Sequence, residues 1–184
     1  MRAKLISLTI ALLVGVGAAA CGEDDEGSPS GAGAGAETAT ATPTETAAAP
    51  GIEALVQGVS EKTKTKPQVP APQGDPPTEL VIRDIVKGKG PKAKAGDTLT
   101  MQYVGTAWSN GQQFDASWDA GRPLPFQLGA GMVIPGWDEG MVGMQKGGRR
   151  LLVIPPDMAY GPAGSGPIGP NETLIFVVDL VNIG

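Results

Sequence analysis

The sequence predicts an α+β domain over residues 78–184, built from an antiparallel sheet of five to six strands and one short helix. All eight aromatic residues lie between Tyr103 and Phe176, so a sizeable core can form only in the C-terminal part of the chain. Short apolar segments in that part alternate with turn signals, and one of them begins like a helix. The chain has 184 residues, which is enough for one domain and a further segment.

The first strands follow from alternation and turns. Glu79–Val86 is a strand candidate that ends before Gly88. Apolar and polar residues then alternate over Leu99–Tyr103, which is typical of a strand with one buried face. Asn110-Gly111 predicts a tight hairpin, with a return strand that includes Gln113 and Phe114.

The remaining elements are a short strand, a helix and two apolar strands. Leu124–Leu128 is the short strand, and Pro135 suits the first turn of the helix, with acidic residues near its positive end. Arg150–Ile154 is an apolar strand stopped by two prolines. Pro162–Pro170 must be a loop, and the continuous apolar run Leu174–Ile183 predicts a central strand that is covered on both faces.

Residues 1–20 are typical of a signal peptide for export. Arg2 and Lys4 precede the apolar run Leu5–Val16 and a stretch of small residues, and the only cysteine, Cys21, follows directly. This order resembles a bacterial lipoprotein signal, which implies that Cys21 carries lipid and anchors the protein on the outer side of the cell membrane. The alternative is an ordinary signal peptide, which would leave a soluble secreted or periplasmic protein.

Residues 21–77 are predicted to be a disordered tether. The segment is rich in Gly, Ala, Thr and Pro, contains no aromatic residue and carries a net charge of −6 over residues 22–77. Such a composition offers too little apolar surface to offset the loss of chain entropy. Only Ile52–Val59 has the pattern of a transient helical turn. We therefore expect this segment to be dispensable for folding and activity.

The composition also excludes several kinds of chemistry. The chain contains no histidine and one cysteine, so Ser-His-Asp and Cys-His catalysis are ruled out and an internal disulfide is impossible. A metal site is not expected. Lys146, Arg149 and Arg150 are predicted on a solvated face, and no basic stripe indicates nucleic-acid binding.

An ordered series of motifs runs through the C-terminal part: Tyr103–Gly105, Gln112–Ser117, Phe126–Gly129, Val133–Gly140, Pro155–Gly161 and Asn171–Leu180. Together these closely resemble the FKBP family of peptidyl-prolyl cis-trans isomerases, over essentially all of residues 78–184 and none of 1–77. The resemblance implies a twisted antiparallel sheet wrapped around the short helix. It also implies catalysis of rotation about X–Pro bonds without covalent chemistry, with no cofactor and no metal.

Carried over by position, the resemblance gives catalytic roles to Tyr103, Asp115, Tyr160 and the backbone N–H of Ile168. It places the substrate proline in a pocket formed by Trp137 at the floor and by Phe114, Phe126, Val133, Ile134 and Phe176 at the walls. Each residue also has an ordinary explanation. The tryptophan and the phenylalanines are typical core residues, Asp115 could cap a turn, and Tyr160 could anchor a loop.

The implied partners are proline-containing segments of exported proteins, macrolide inhibitors of the FKBP class, and a membrane through the lipid anchor. A monomer is expected. The alternative function is a binding module or chaperone that holds proline-containing segments at the cell surface without isomerising them. A nearly complete set of pocket residues favours the enzyme.

Overall fold

The computed structural model of the chain describes residues 50–184, so the predicted signal peptide, Cys21 and the first part of the predicted tether lie outside the described residues. Two α-helices are present in this part, α1 (Pro50–Gly58) and α2 (Pro135–Gly140). The strands are β1 (Val81–Val86), β2 (Thr98–Ala107), β3 (Gln113–Ala116), β4 (Leu124–Gln127), β5 (Arg149–Ile154) and β6 (Leu174–Ile183). All the predicted strands and the short helix are present. Strand bounds differ by at most two residues from those predicted, except that β2 continues to Ala107, four residues beyond the predicted end at Tyr103.

The six strands form one antiparallel sheet in the order β1-β5-β6-β2-β3, and β4 also pairs with β2, next to β3. The predicted fold class is confirmed. The central strand is β6, as its apolar run indicated, and its pairing with β2 runs from Leu99 opposite Ile183 to Ala107 opposite Leu174. Because successive side chains of a strand point to opposite faces, β6 contributes to two separate apolar layers.

One layer lies between the sheet and α2. It includes Leu174, Phe176, Val178 and Leu180 of β6, together with Trp137 of the helix. Two glycines let α2 approach β5 closely. A Cβ atom on Gly136 would lie 2.4 Å from Ile154 Cγ2, and one on Gly140 would lie 2.9 Å from Leu152 Cδ2. The glycines of this helix therefore serve close packing, which a side chain would prevent.

The opposite face of the sheet is covered by α1, and here the structure differs from the sequence-based expectation. Ile52, Leu55 and Val59 are at most 4% exposed and pack on the apolar residues of that face. The face consists of Val81, Trp108, Leu151, Val153, Ile175 and Val177. The prediction of disorder is therefore wrong for residues 51–77. Ile52 and Leu55 lie on one face of α1, and Val59, directly after the helix, extends that apolar face. The sheet offers a matching apolar surface.

The segment after α1, residues 59–77, is named the strap here. Hydrogen bonds to its backbone carbonyls hold the strap, in addition to packing. The Trp108 indole N–H donates to the Gly74 carbonyl at 3.3 Å. Arg149 donates to two further strap carbonyls, those of Ser60 at 2.6 Å and Thr65 at 2.9 Å. The folded unit therefore includes the strap, and the boundary predicted at residue 78 is too late.

Arg149 is completely buried beneath the strap, so the prediction that it lies on a solvated face is wrong. Its guanidinium also donates to both carboxylate oxygens of Asp179 at 2.6 Å. Burial raises the pKa of Asp179, and the hydrogen bonds and charge of Arg149 oppose that rise. A buried guanidinium needs partners for its N–H groups, and here the strap and Asp179 supply them.

We predict that Leu55→Ala lowers the free energy of unfolding by about 2–5 kcal/mol, because it leaves a cavity between α1 and the sheet. The matched control is Gln57→Ala in the same helix, whose side chain is exposed and which should change stability by less than about 0.5 kcal/mol. Urea unfolding of both variants measures the difference. Equal midpoints would show that α1 does not contribute to the fold in solution.

Candidate active site

A pocket of about 170 Å³ opens where α2 meets the sheet. Side chains from β2, β3, β4, β6, α2 and two loops line it: Tyr103, Phe114, Asp115, Leu124, Met132, Val133, Ile134, Trp137, Tyr160 and Phe176. Most of these side chains are apolar or aromatic, with one carboxylate and two phenol hydroxyls among them. Such a pocket suits a small apolar ring that carries polar groups at its edge.

Aromatic rings in edge-to-face contact form the base of the pocket. The Trp137 ring is 4% exposed, and its centroid lies 5.2 Å from those of Tyr103 and Phe176, at angles of 82° and 83°. Phe176 in turn meets Phe114 at 5.6 Å and 83°. These are the geometries that aromatic quadrupoles favour, so each ring helps to fix the next.

Gly105 makes room for these rings. It lies opposite Asp115 of β3 on one side and Phe176 of β6 on the other. A Cβ atom at this position would come within 2.7 Å of both the Phe114 and Phe176 rings. The absence of a side chain therefore lets the two phenylalanines meet above the strand.

The helix and the loop before it are fixed by polar contacts. The Asp138 carboxylate accepts the backbone N–H groups of Gly129 and Gly131 at 2.8 and 3.0 Å, which holds the loop that continues into the pocket wall. At the other end of α2, the Arg150 guanidinium donates to the Gly140 carbonyl at 2.6 Å and is paired with Asp84 at 2.7 Å. Arg150 is 6% exposed, so its predicted place on a solvated face is also corrected.

The polar edge of the pocket is a single close pair. The Tyr103 hydroxyl donates to Asp115 Oδ2 at 2.5 Å. Burial raises the pKa of Tyr103 well above its ordinary value, and the hydrogen bond to Asp115, the charge of Asp115 and the nearby Tyr160 raise it further. Tyr103 is therefore a protonated donor at neutral pH.

Tyr160 lies at the mouth of the pocket, with 39% of its surface exposed. It directly precedes the short 3-10 turn Gly161–Ala163, in the loop that follows β5. Within residues 50–184 its hydroxyl has no hydrogen-bond partner, so it is available to a bound molecule.

Eight of the ten predicted site residues line this pocket, and two do not. Phe126 is 4% exposed and lies behind Trp137, at 5.7 Å between ring centroids, so it belongs to the core. Ile168 is buried outside the pocket, and its backbone N–H donates to the Ser165 carbonyl at 2.9 Å within the loop. The predicted role of this N–H as a donor to substrate is therefore corrected, because the loop already uses it.

Two residues of the pocket were missed by the sequence analysis. Met132 is 65% exposed and directly precedes the identified motif Val133–Gly140. Leu124 is 37% exposed at the first position of β4. Both residues lie within two positions of an identified motif. Their closeness to these motifs could have identified them, because apolar residues next to a pocket wall can line its rim. Among the described residues, no group of three or more His, Cys, Asp or Glu is placed to hold a metal ion.

The fold and the pocket together define a class: a small antiparallel domain whose aromatic cavity lies between a short helix and the sheet. A sequence model of the FKBP-type peptidyl-prolyl cis-trans isomerase family matches residues 90–181. The chain belongs to this family, as the motifs indicated. Both α1 and the strap lie outside the matched range.

Relatives and solved structures agree with this assignment. An FK506-binding protein of Streptomyces anulatus is 58% identical over 120 residues, which are 64% of this chain and 97% of that protein. A probable FK506-binding protein of Corynebacterium glutamicum is 46% identical over 117 residues, 64% of this chain and 98% of that protein. The crystal structure of AtFKBP13 matches with a TM-score of 0.55 and 38% identity, over 59% of this chain and 96% of that one. FkpA from Escherichia coli matches with a TM-score of 0.54 and 39% identity, over 69% of this chain and 52% of that one.

We predict that Tyr103 stays protonated at pH values where an ordinary tyrosine, with a pKa of 10.0, is largely ionised. A titration followed by tyrosinate absorbance should show a late step that Tyr103→Phe removes. Asp115→Asn should bring that step to lower pH, because it removes the carboxylate charge, whereas burial remains. Circular dichroism restricts the comparison to pH values where the protein is folded. If the late step occurs at the same pH in Asp115→Asn and in the wild type, the carboxylate does not contribute to the raised pKa of Tyr103.

Proposed function

We propose that the chain is a peptidyl-prolyl cis-trans isomerase that acts on proline-containing segments of exported proteins. The observation that carries the proposal is an aromatic pocket based on Trp137, with the Tyr103–Asp115 pair at its edge and a free Tyr160 hydroxyl at its mouth. Membership of the isomerase family supports the same activity. The relatives' names, which describe binding of FK506, support a macrolide ligand in the same pocket.

The reaction needs a site that binds a twisted amide better than a planar one. The barrier to rotation about an X–Pro bond comes from amide resonance and is about 18–20 kcal/mol. Resonance places negative charge on the carbonyl oxygen, and twisting withdraws it. An apolar pocket that replaces water therefore destabilises the planar form more than the twisted one. No bond to the substrate has to form, so the chemistry fits a chain without histidine.

The pocket residues divide into two tasks. Trp137 and Phe176 accept the proline ring on aromatic surfaces, which fixes the ring while the preceding residue rotates. Asp115 lies at the edge where the rotating carbonyl passes, and Tyr103 holds its carboxylate in place. The Tyr160 hydroxyl donates to a carbonyl of the substrate backbone at the mouth.

We predict that Asp115→Leu lowers kcat/KM about 10- to 100-fold, because it removes the carboxylate while keeping similar bulk. A protease-coupled assay with a proline tetrapeptide measures this. Glu79→Leu is the control. It also replaces an exposed carboxylate, just before β1 at the opposite edge of the sheet from β3, and should leave kcat/KM unchanged.

Trp137→Ala should differ in kind from Asp115→Leu, because it removes the base of the pocket. We expect weaker ligand binding and a loss of about 3–5 kcal/mol of stability.

The same assay separates the isomerase from a binding module. If the wild-type chain binds a proline peptide or FK506 but leaves the isomerisation rate at background, the chain is a binding module and the catalytic proposal fails. If the wild type is active and Asp115→Leu is equally active, desolvation by the apolar walls is sufficient and Asp115 has no catalytic role.

We further propose that the protein is exported and anchored to the outer side of the cell membrane through lipid on Cys21. The proposal is supported by the order of basic, apolar and small residues before that cysteine. Within residues 50–184, no helix is long and apolar enough to cross a bilayer. Lipoproteins of this kind carry several acyl chains, and more than one chain is needed for stable anchoring.

We predict that Cys21→Ser moves the protein from the membrane fraction to the soluble fraction. Blotting of the two fractions and the mass of the mature N-terminus measure this outcome. Equal membrane association of variant and wild type would contradict the anchor and leave the ordinary signal peptide.

A further inference from the structure

One wall of the pocket stands on a short edge strand of the sheet. The strand β3 has four residues, pairs only with β2, and its register shifts between Gly105 and Thr106. Yet it carries both Phe114 and Asp115 into the pocket. An edge strand this short has few backbone hydrogen bonds to hold it, so its position also depends on contacts of the flanking residues. On the side of β2, the Ser117 hydroxyl accepts the Tyr103 backbone N–H at 2.8 Å.

On the outer side of β3, a further contact comes from the strap. The Asp119 carboxylate, three residues after β3, accepts a hydrogen bond from the side-chain amide of Gln113 at 2.8 Å. Both oxygens of the same carboxylate also accept hydrogen bonds from the Lys66 ammonium, each at 2.7 Å. Because Gln113 is the first residue of β3, Asp119 ties both ends of the strand to Lys66.

The strap is itself fixed at this point. Thr65, the residue before Lys66, has its carbonyl bound by the buried Arg149 guanidinium at 2.9 Å. Arg149 is anchored to Asp179 in the central strand. A continuous series of polar contacts therefore runs from β6 through Arg149 and the strap to Asp119 and the outer edge of the pocket.

We propose that Lys66 and Asp119 are positioning residues for the isomerase reaction, holding β3 so that Phe114 and Asp115 keep their places in the pocket. The proposal rests on the proposed function. The ion pair is exposed, with 38% and 55% of its side chains accessible, so its effect on global stability is small. Its effect is expected in the pocket, because Gln113 and Asp119, which the contact joins to Lys66, flank Phe114 and Asp115 in the chain.

The test compares three variants of the full chain. Lys66→Met removes the ion pair and keeps the length of the side chain, Lys66→Arg keeps the charge, and Lys64→Met is the control. Lys64 is exposed two residues earlier in the strap and forms no ion pair within residues 50–184. With an uncharged proline tetrapeptide, Lys66→Met should lower kcat/KM about 2- to 5-fold, and the other two variants should stay close to wild type.

Two further measurements distinguish positioning from general stability. Amide hydrogen exchange of a peptide that covers residues 113–119 should be faster in Lys66→Met and unchanged in Lys64→Met. In an Asp119→Asn background, Lys66→Met should have no further effect on kcat/KM, since the pair is already broken. Added salt should lower kcat/KM of the wild type towards that of Lys66→Met and should not change the variant.

The proposal is overturned if Lys66→Met leaves kcat/KM unchanged, even where exchange of β3 becomes faster, because the pair would then be structural only. Equal effects of Lys66→Met and Lys64→Met would also overturn it. A wild-type chain with no isomerase activity would instead remove the proposed function. Hydrogen exchange would still show whether Lys66 holds β3, since that measurement does not depend on turnover.

Discussion

The burial of both faces of β6 is the constraint on which the rest of the structure depends. Leu174, Phe176 and Val178 point to the side of α2, while Ile175 and Val177 point to the side of α1. A strand with two apolar faces is stable only if something covers each face. On one side the cover is the short helix α2, and the aromatic pocket lies where this helix meets the sheet. On the other side the cover is α1, and the strap continues from it across the domain.

That arrangement also explains why a charged residue can be completely buried. Arg149 is adjacent to β6 in the sheet, opposite Asp179, at the end of the strand where the apolar layer gives way to the strap. A lone buried charge would be strongly destabilising, but this one has a carboxylate and two carbonyls around it. The hydrogen bonds from Arg149 to the Ser60 and Thr65 carbonyls therefore fix the path of the strap over the buried guanidinium.

The sequence predicted the strands well because each has a local signal. Alternation identified β2, Asn110-Gly111 identified the hairpin, and the continuous apolar run identified β6. The docking of α1 has no local signal of comparable strength, because Ile52, Leu55 and Val59 become significant only when a sheet face is known to need a cover. The position of Phe126 behind Trp137, and the use of the Ile168 N–H by Ser165, depend on packing and loop geometry, which residue types do not determine.

The proposed reaction makes this geometry unusually important. An enzyme with a nucleophile concentrates its chemistry in a few atoms, whereas rotation of an amide is favoured by the shape and polarity of a whole cavity. The wall residues Tyr103, Phe114 and Phe176 come from β2, β3 and β6, so the relative positions of three strands determine the cavity. Contacts that fix those strands from outside the pocket are therefore expected to affect the proposed reaction. Within residues 50–184, the strap is one of the segments beyond the family's matched range, and its Lys66 makes such a contact next to β3.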